Sequence, residues 1–399
     1  MDAREIAGLG SGLMEFLATF DDCFGRSEPR EHLRTYVSGQ LSDLRRKSLE
    51  PIALSADVPP RTLQRFFELV EWDEVRLRDK LQRVVARDHA DAEAIGIIDE
   101  TGHPKKGKHT AGVKRQWCGN TGKLDNCVVS VHTGYVSGDF QCLLDSDVYL
   151  PKEWAEDRPR RLAAHIPDEV VFRTKPELAL ELIRGAAPKI RHGWVTFDEG
   201  YGKDPGFVSG LEEMGERYIG EVPKTCRGWL DRPKVQEPQG RRRQPRVAPG
   251  QAKPQTVEEI ASSLPASSWK RLQFREGTKG TQVAHFARVR FVAERDDLPG
   301  PELWLMIERS CDQAPYVKYY LSNAAPDCAL LEMAQAGHNR WPVEDCFLRG
   351  KQEVGLDDYE VRGWRGWHHH MTLVMLALWF LVLQKRRLGK KNQDRHDVA

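Results

Sequence analysis

The stretch GWVTFDEGYG, residues 193–202, carries an apolar run, Trp194–Phe197, straight onto an aspartate, Asp198. AIGIIDETG, residues 94–102, repeats the shape, with Ile97 and Ile98 leading into Asp99. A short apolar run bounded by turn residues reads as a buried strand. Each run is followed by Glu and a nearby Gly, the residues of a tight turn away from a sheet. Both aspartates are therefore expected at the C-terminal ends of strands, where the crevice of an open α/β sheet receives its ligand. If the two strands are neighbours, side chains far apart in sequence meet. Facing carboxylates serve a divalent metal site, an acid/base pair or a salt-bridged structural pair. These residues alone leave all three open.

Around the two aspartates the pattern is α/β. VKRQWC and NCVVSVHTGYV are strand-like and are separated by the glycine-rich GNTGK. A helix is predicted over 175–186, opened by the capping-box pair Thr174 and Glu177 with Pro176 in the first turn, and closed by Gly185. It leads into the strand ending at Asp198. A second helix near 206–214 precedes the strand RYIGEV. The order predicts a three-strand meander with parallel strands added after it. TQVAHFARVRFVAE, ELWLMIE and YVKYYLS then predict a β-rich insertion, and helical character returns at about residue 329.

Residues 1–90 read as helical. Within them, PIALSADVPPRTLQRFFEL resembles a helix-turn-helix: Ile52, Leu54 and Ala56 precede a turn at Asp57–Pro59. Pro60 then opens a second helix, with Arg61, Gln64 and Arg65 outward and Leu63, Phe66 and Phe67 inward. Residues 224–253 hold nine Lys or Arg against two acids, with four prolines and the run Arg241, Arg242, Arg243. Such a segment forms no packed core and attracts polyanions, or else is a solvated loop.

The chain has 399 residues, 40% hydrophobic and 30% charged, with a formal net charge of +1, a composition that excludes a disordered chain. Its N-terminus has no basic region ahead of an apolar stretch, so no secretory signal is expected. The longest apolar run, Met371–Leu383, is short for a bilayer and is expected to be a buried helix. Eight scattered cysteines lack zinc spacing and are expected to be reduced thiols of a cytoplasmic protein. Gly102 to Lys108 fits a phosphate-binding G-x4-G-K, but His109 replaces the Ser or Thr and a strand replaces the helix, so an NTPase is excluded. The three consecutive histidines His368–His370 point about 100° apart on a helix. They are expected in packing or phosphate contact rather than as a metal cluster. In RGWRGW, Trp364 and Trp367 are read as core or as a stacking surface for a base.

A third carboxylate stands in RWPVEDCFLRGKQEVGLDDYEVRGW. Glu344 and Lys351 are nearly two helical turns apart and share a face. Pro342 belongs in the first turn, with Arg340 just outside the helix. These stretches, together with IIDETGHPKKGKHTAGVKRQWCGNTGKLDNCVVSV, DVYLPKEW, TKPELA and GWVTFDEGYG, resemble the DDE transposases of bacterial insertion sequences. They are most similar to the insertion-sequence 701 group within the clan with a YREK signature. The resemblance covers about residues 50–385 in the family's order. It implies an RNase H-like mixed sheet with flanking helices, preceded by an N-terminal helical domain and interrupted by a β-rich insertion. It implies four parts: an N-terminal DNA-binding domain over 1–90, the first part of the core over 91–222, the basic loop and β-rich insertion over 223–325, and a helical part over 326–399 that completes the core.

Asp99, Asp198 and Glu344 are then the catalytic triad holding two Mg²⁺ ions, with Mn²⁺ as a substitute. Arg340 and Lys351 match the R and K of the signature and hold DNA phosphates, and Gly337 stands where the family has tyrosine. Lys105, Lys106 and Lys108 are expected on the DNA backbone, with Arg61, Arg65 and Arg241–Arg243 as further DNA contacts. The implied partners are double-stranded DNA, as terminal inverted repeats and target, and a second copy of the chain on DNA; no membrane is expected. The rival from another class is a non-catalytic DNA-binding regulator, which has no need of metal ligands.

Overall fold

The computed structural model describes residues 3–238, 244–277, 280–311 and 315–396. They form two compact units. The first comprises residues 1–94, 99–192 and 341–399, and the second residues 95–98 and 193–340.

In the first unit, helices α1 (Ala3–Ala18), α2 (Ser27–Gln40), α3 (Leu49–Ser55), α4 (Pro60–Glu68) and α5 (Glu74–His89) pack with the long helix Trp364–His396. Proline at the first position of α4 costs no hydrogen bond, because that N–H has no intrahelical acceptor. Leu63, Phe66 and Phe67 are fully buried while Arg61 and Arg65 face solvent. The turn before α4 runs through Asp57 at φ 54, a conformation that Asp tolerates better than most residues. Leu54, one of the apolar residues ahead of that turn, faces solvent. The Trp364–His396 helix is long and apolar enough to cross a membrane, yet 83% of its apolar window is buried inside the protein. Met371–Phe380 are core residues, as expected of that run.

Against this helical layer lies the meander. Strand β1 (Ile95–Pro104) neighbours β3 (Lys123–Ser137), which pairs antiparallel with both β2 (Lys114–Cys118) and β4 (Phe140–Val148). The VKRQWC strand therefore does not stand between the other two as expected, and β4, absent from the sequence reading, follows β3 in the meander. The chain after Lys108 enters β2 and not a helix, so the G-x4-G-K stretch makes no phosphate-binding helix N-terminus. The helix Lys175–Ala186 has both hydrogen bonds of the Thr174–Glu177 capping box. It runs one residue past Gly185, which lies inside its last turn and does not close it.

β1 begins in the second unit and continues into the first. Its residues 95–98 pair in parallel with β5 (Trp194–Phe197), which pairs in parallel with β6 (Tyr218–Val222). A meander followed by two parallel strands is the RNase H-like succession, and the mixed α/β class is as expected. Beyond β6 come the antiparallel strands Lys270–Gly277, Gly280–Arg295, Leu298–Ser310 and Val317–Ser322, the predicted β-rich stretch. Val257, Ile260, Phe291, Leu303, Leu305 and Ile307 form its core.

Candidate active site

β5 ends at Phe197, and the next residue, Asp198, caps the short helix Glu199–Gly202, its carboxylate accepting a hydrogen bond from the Tyr201 N–H at 3.3 Å. Two glycines make this turn possible. A Cβ on Gly202 would lie 2.0 Å from the Glu221 carbonyl oxygen on β6, so only glycine lets the turn lie that close to the strand. Gly220 on β6 gives its side-chain space to the Phe197 ring, whose nearest atom would stand 1.8 Å from a Cβ there. Asp198 is half-buried and enters no ion pair among the described residues.

Asp99 differs from the expectation. β1 does not end there but runs on to Pro104, so Asp99 is the fifth of ten strand residues. Extension past Asp99 is held by partners on β3 and by the start of the following loop. Buried His103 shares a 3.0 Å hydrogen bond with the Ser130 hydroxyl, and the Lys105 N–H donates to the Asn126 carbonyl at 2.8 Å. Asp99 itself is 7% exposed and accepts from the Glu100 N–H at 2.7 Å. The adjacent Glu100 is committed to Lys175, at 2.6 Å. Within the second unit Ile98 is the registered partner of Phe197. Asp99 is the next residue of β1 after Ile98, and Asp198 is the first residue beyond the end of β5 at Phe197.

Glu344 lies in the first turn of the helix Trp341–Glu353, with Pro342 in that turn and Arg340 just ahead of it. Val343, Cys346 and Phe347 are buried, and the Phe347 ring meets His132 of β3 edge-on at 5.0 Å. Asp345 is tied to Arg349 at 2.7 Å and to Gln141, whereas Glu344 is exposed. Lys351 donates to the Asn120 side chain at 3.1 Å, and burial lowers its pKa from the usual lysine range. Gly337 packs against Tyr320, whose ring carbon would stand an ordinary 3.5 Å from a Cβ at that position.

Among the described residues, no three of His, Cys, Asp and Glu are gathered as a group that could hold a metal ion. Asp99 and Glu344 belong to the first unit and Asp198 to the second. The donor chemistry nevertheless suits a hard divalent cation, because all three side chains offer carboxylate oxygens.

The candidate DNA contacts divide. Lys106, Lys108, Arg61 and Arg65 are exposed. Lys105 is occupied within the fold: it donates to the Tyr359 carbonyl at 2.7 Å and lies 3.3 Å over that ring, and burial lowers its pKa to about 8. Arg241, Arg242 and Arg243 lie outside the described residues. The histidine run is packing only, since His368, His369 and His370 are all buried. His369 stacks on Trp72 at 4.0 Å and His370 shares a 2.9 Å hydrogen bond with the Tyr36 hydroxyl. Trp367 is core, at 1% exposure. Sequence reasoning missed the exposed cross-strand pair Trp117 and Leu124. The alternation in VKRQWC places Trp117 opposite Gln116 and Cys118, and that signal was available.

Residues 19–281 match the family described as DDE superfamily endonuclease, and the chain belongs to it. The match includes Asp99 and Asp198 and ends before Glu344. Endonucleases of this family use divalent metal ions. The chain is also 36% identical over 184 residues to a probable transposase for insertion sequence element IS701 from Microchaete diplosiphon, over 45% of this chain and 46% of the relative. The chain thus spans about half the length of the curated relative it matches. The NurA nuclease from Sulfolobus solfataricus aligns over 78% of this chain and 86% of its own with a TM-score of 0.28 and 10% identity, a likeness too slight to carry an argument.

Proposed function

We propose that this protein is a DNA transposase that cuts both ends of a mobile element at its terminal inverted repeats and joins the freed 3′ ends to target DNA. Asp99, Asp198 and Glu344 would hold two Mg²⁺ ions, for which Mn²⁺ would substitute, and the chemistry supplied there would be activation of an attacking hydroxyl and stabilisation of the leaving oxygen of an in-line displacement. The chain's own part is to present the carboxylates in fixed directions. The Glu100 N–H orients Asp99 from its own strand, and the Tyr201 N–H and the turn closed on Gly202 orient Asp198. Arg340 and Lys351 hold DNA phosphates beside the cleaved bond by charge-assisted hydrogen bonds. Exposed Arg61 and Arg65 of α4, with the arginine run at 241–243, supply sequence-independent affinity. Residues 1–90 act as the DNA-binding domain, residues 91–222 and 326–399 as the catalytic core, and residues 223–325 as its insertion. The protein works as a homodimer on DNA in the cytoplasm.

The observation that carries this reading is the registered pair Ile98 and Phe197, each followed by an aspartate, in a chain of the DDE endonuclease family. A labelled transposon end tests it. Wild-type protein nicks that end with Mg²⁺ or Mn²⁺ and not with EDTA, whereas Asp99→Asn, Asp198→Asn and Glu344→Gln bind it and do not cut. Equal loss of binding and cutting in all three variants, or metal-independent cutting, refutes the assignment. In a DNA complex with metal the three carboxylates fall within about 4–8 Å of one another, as shared ions require.

A further inference from the structure

Trp117 and Leu124 are directly paired across the β2–β3 hairpin, and they are 56% and 60% exposed. Residues opposite one another in an antiparallel ladder share a face, and so do residues two apart on a strand. Exposed Arg115 therefore joins Trp117 on this face, and its registered partner Asn126 joins Leu124. Asn126 donates its amide to the Lys105 carbonyl and, at 3.0 Å, to that of Gly107. It thereby fixes beside the hairpin the loop that bears exposed Lys106 and Lys108. Asp125 pairs with Gln116, two positions of the opposite face. At the hairpin's tip Asn120 accepts from Lys351, which joins the hairpin to the helix that carries Glu344.

An aromatic and an aliphatic side chain in water, flanked by Arg115, Lys106 and Lys108, match a nucleic acid strand. Bases offer flat apolar faces for stacking and phosphates offer anions at intervals. A second copy of the chain fits less well. In a two-fold contact the same patch meets itself, and a patch bearing Arg115, Lys106 and Lys108 would be brought against a surface of the same charge. A fully paired duplex hides its base faces in the stack, so Trp117 can stack only on bases that are unpaired.

We infer that the Trp117–Leu124 face binds unpaired bases of a DNA strand next to the cleavage site, with Arg115, Lys106 and Lys108 on the adjoining phosphates. This rests on the reading of the protein as a DNA-cutting enzyme. The test uses the full chain in EDTA, so that nothing is cut. It uses two fluorescent probes of one transposon-end sequence, one fully paired and one with a few unpaired bases at the terminus. Trp117→Ala weakens binding to the unpaired probe by roughly 5- to 150-fold, the range for one lost base stack, and leaves the paired probe within about twofold. Trp117→Phe restores most of the loss. Arg115→Gln weakens both probes and lowers the salt slope by about 0.7–0.9. Binding of both probes unchanged by Trp117→Ala, or a wild-type dimer in the absence of DNA that this variant dissociates, overturns the inference and leaves the transposase reading in place. Failure of the wild-type chain to bind either probe overturns both.

Discussion

Acid should destabilise the first unit well before the carboxylates that form ion pairs are protonated. Five of its histidines are buried: His103, His132, His369 and His370 at 0% exposure and His368 at 6%. Burial lowers all five from the ordinary 6.5, to about 3 for His132, His368 and His370. Because the folded pKa lies below the unfolded one, the unfolded chain takes up these protons first. The stability is fully present above pH 6.5 and is lost as pH falls toward 3. Asp147, 3.6 Å from His368, works in the opposite direction. Burial raises its pKa from 3.8 to about 7, so the native state keeps a proton that the unfolded state has released, and stability is gained as pH falls through that window. Between pH 7.5 and 5.5 each of the three histidines held near 3 costs about 1.4 kcal/mol, the three together about 4, and Asp147 returns about 2, while His103 and His369 act in the same direction as the three. The net loss of about 2 kcal/mol from the three histidines and Asp147 is a sizeable part of the stability of a typical domain, roughly 5–15 kcal/mol. Urea unfolding followed by far-ultraviolet circular dichroism at half-unit pH steps measures it. His132→Phe removes one of these protons, so its loss over the same interval should be smaller by about 1.4 kcal/mol. A midpoint that does not move between pH 7.5 and 5.5, or a His132→Phe protein with the wild-type pH slope, would refute the reasoning.

Gly202→Ala forces its methyl onto the Glu221 carbonyl. It should cost about 1–3 kcal/mol in thermal unfolding and reduce cutting more than DNA binding, because the displaced element carries Asp198. Lys351→Ala should leave metal affinity, measured by calorimetry with Mn²⁺, nearly intact, since an ammonium repels the ion. It should lower strand cleavage by about 1–3 kcal/mol of transition-state stabilisation, while Glu353→Ala, exposed two residues further along the helix, should change little. Phe67→Ala opens a cavity beside Tyr36, whose ring lies 4.6 Å away. A loss of about 3–5 kcal/mol is expected, and a loss under about 1 kcal/mol would show that α4 is not anchored by that ring.

What the sequence determined by itself lies within a few residues of each signal. The Thr174–Glu177 box, Pro60 at the head of α4 and the stop of β5 on Asp198 are side-chain and backbone energies acting over one turn, and each was legible. The inward face of Leu63, Phe66 and Phe67 was legible too, because helical periodicity is local. The family motifs pointed to the three carboxylates as chemistry, without the contacts that hold them. Tertiary structure decided where β1 ends: apolar pattern and turn residues favoured a stop at Asp99, but pairing with β3 carries the strand five residues further. It decided that the histidine run is buried, through Tyr36 of α2 and Trp72 of the segment between α4 and α5, some three hundred residues earlier. It also gave Gly202 and Gly220 their purpose, which exists only once β6 lies against the turn and against Phe197. Propensities and caps are settled between neighbours in the chain. Burial, close approach and strand length depend on what the rest of the chain brings alongside, and no local pattern encodes that.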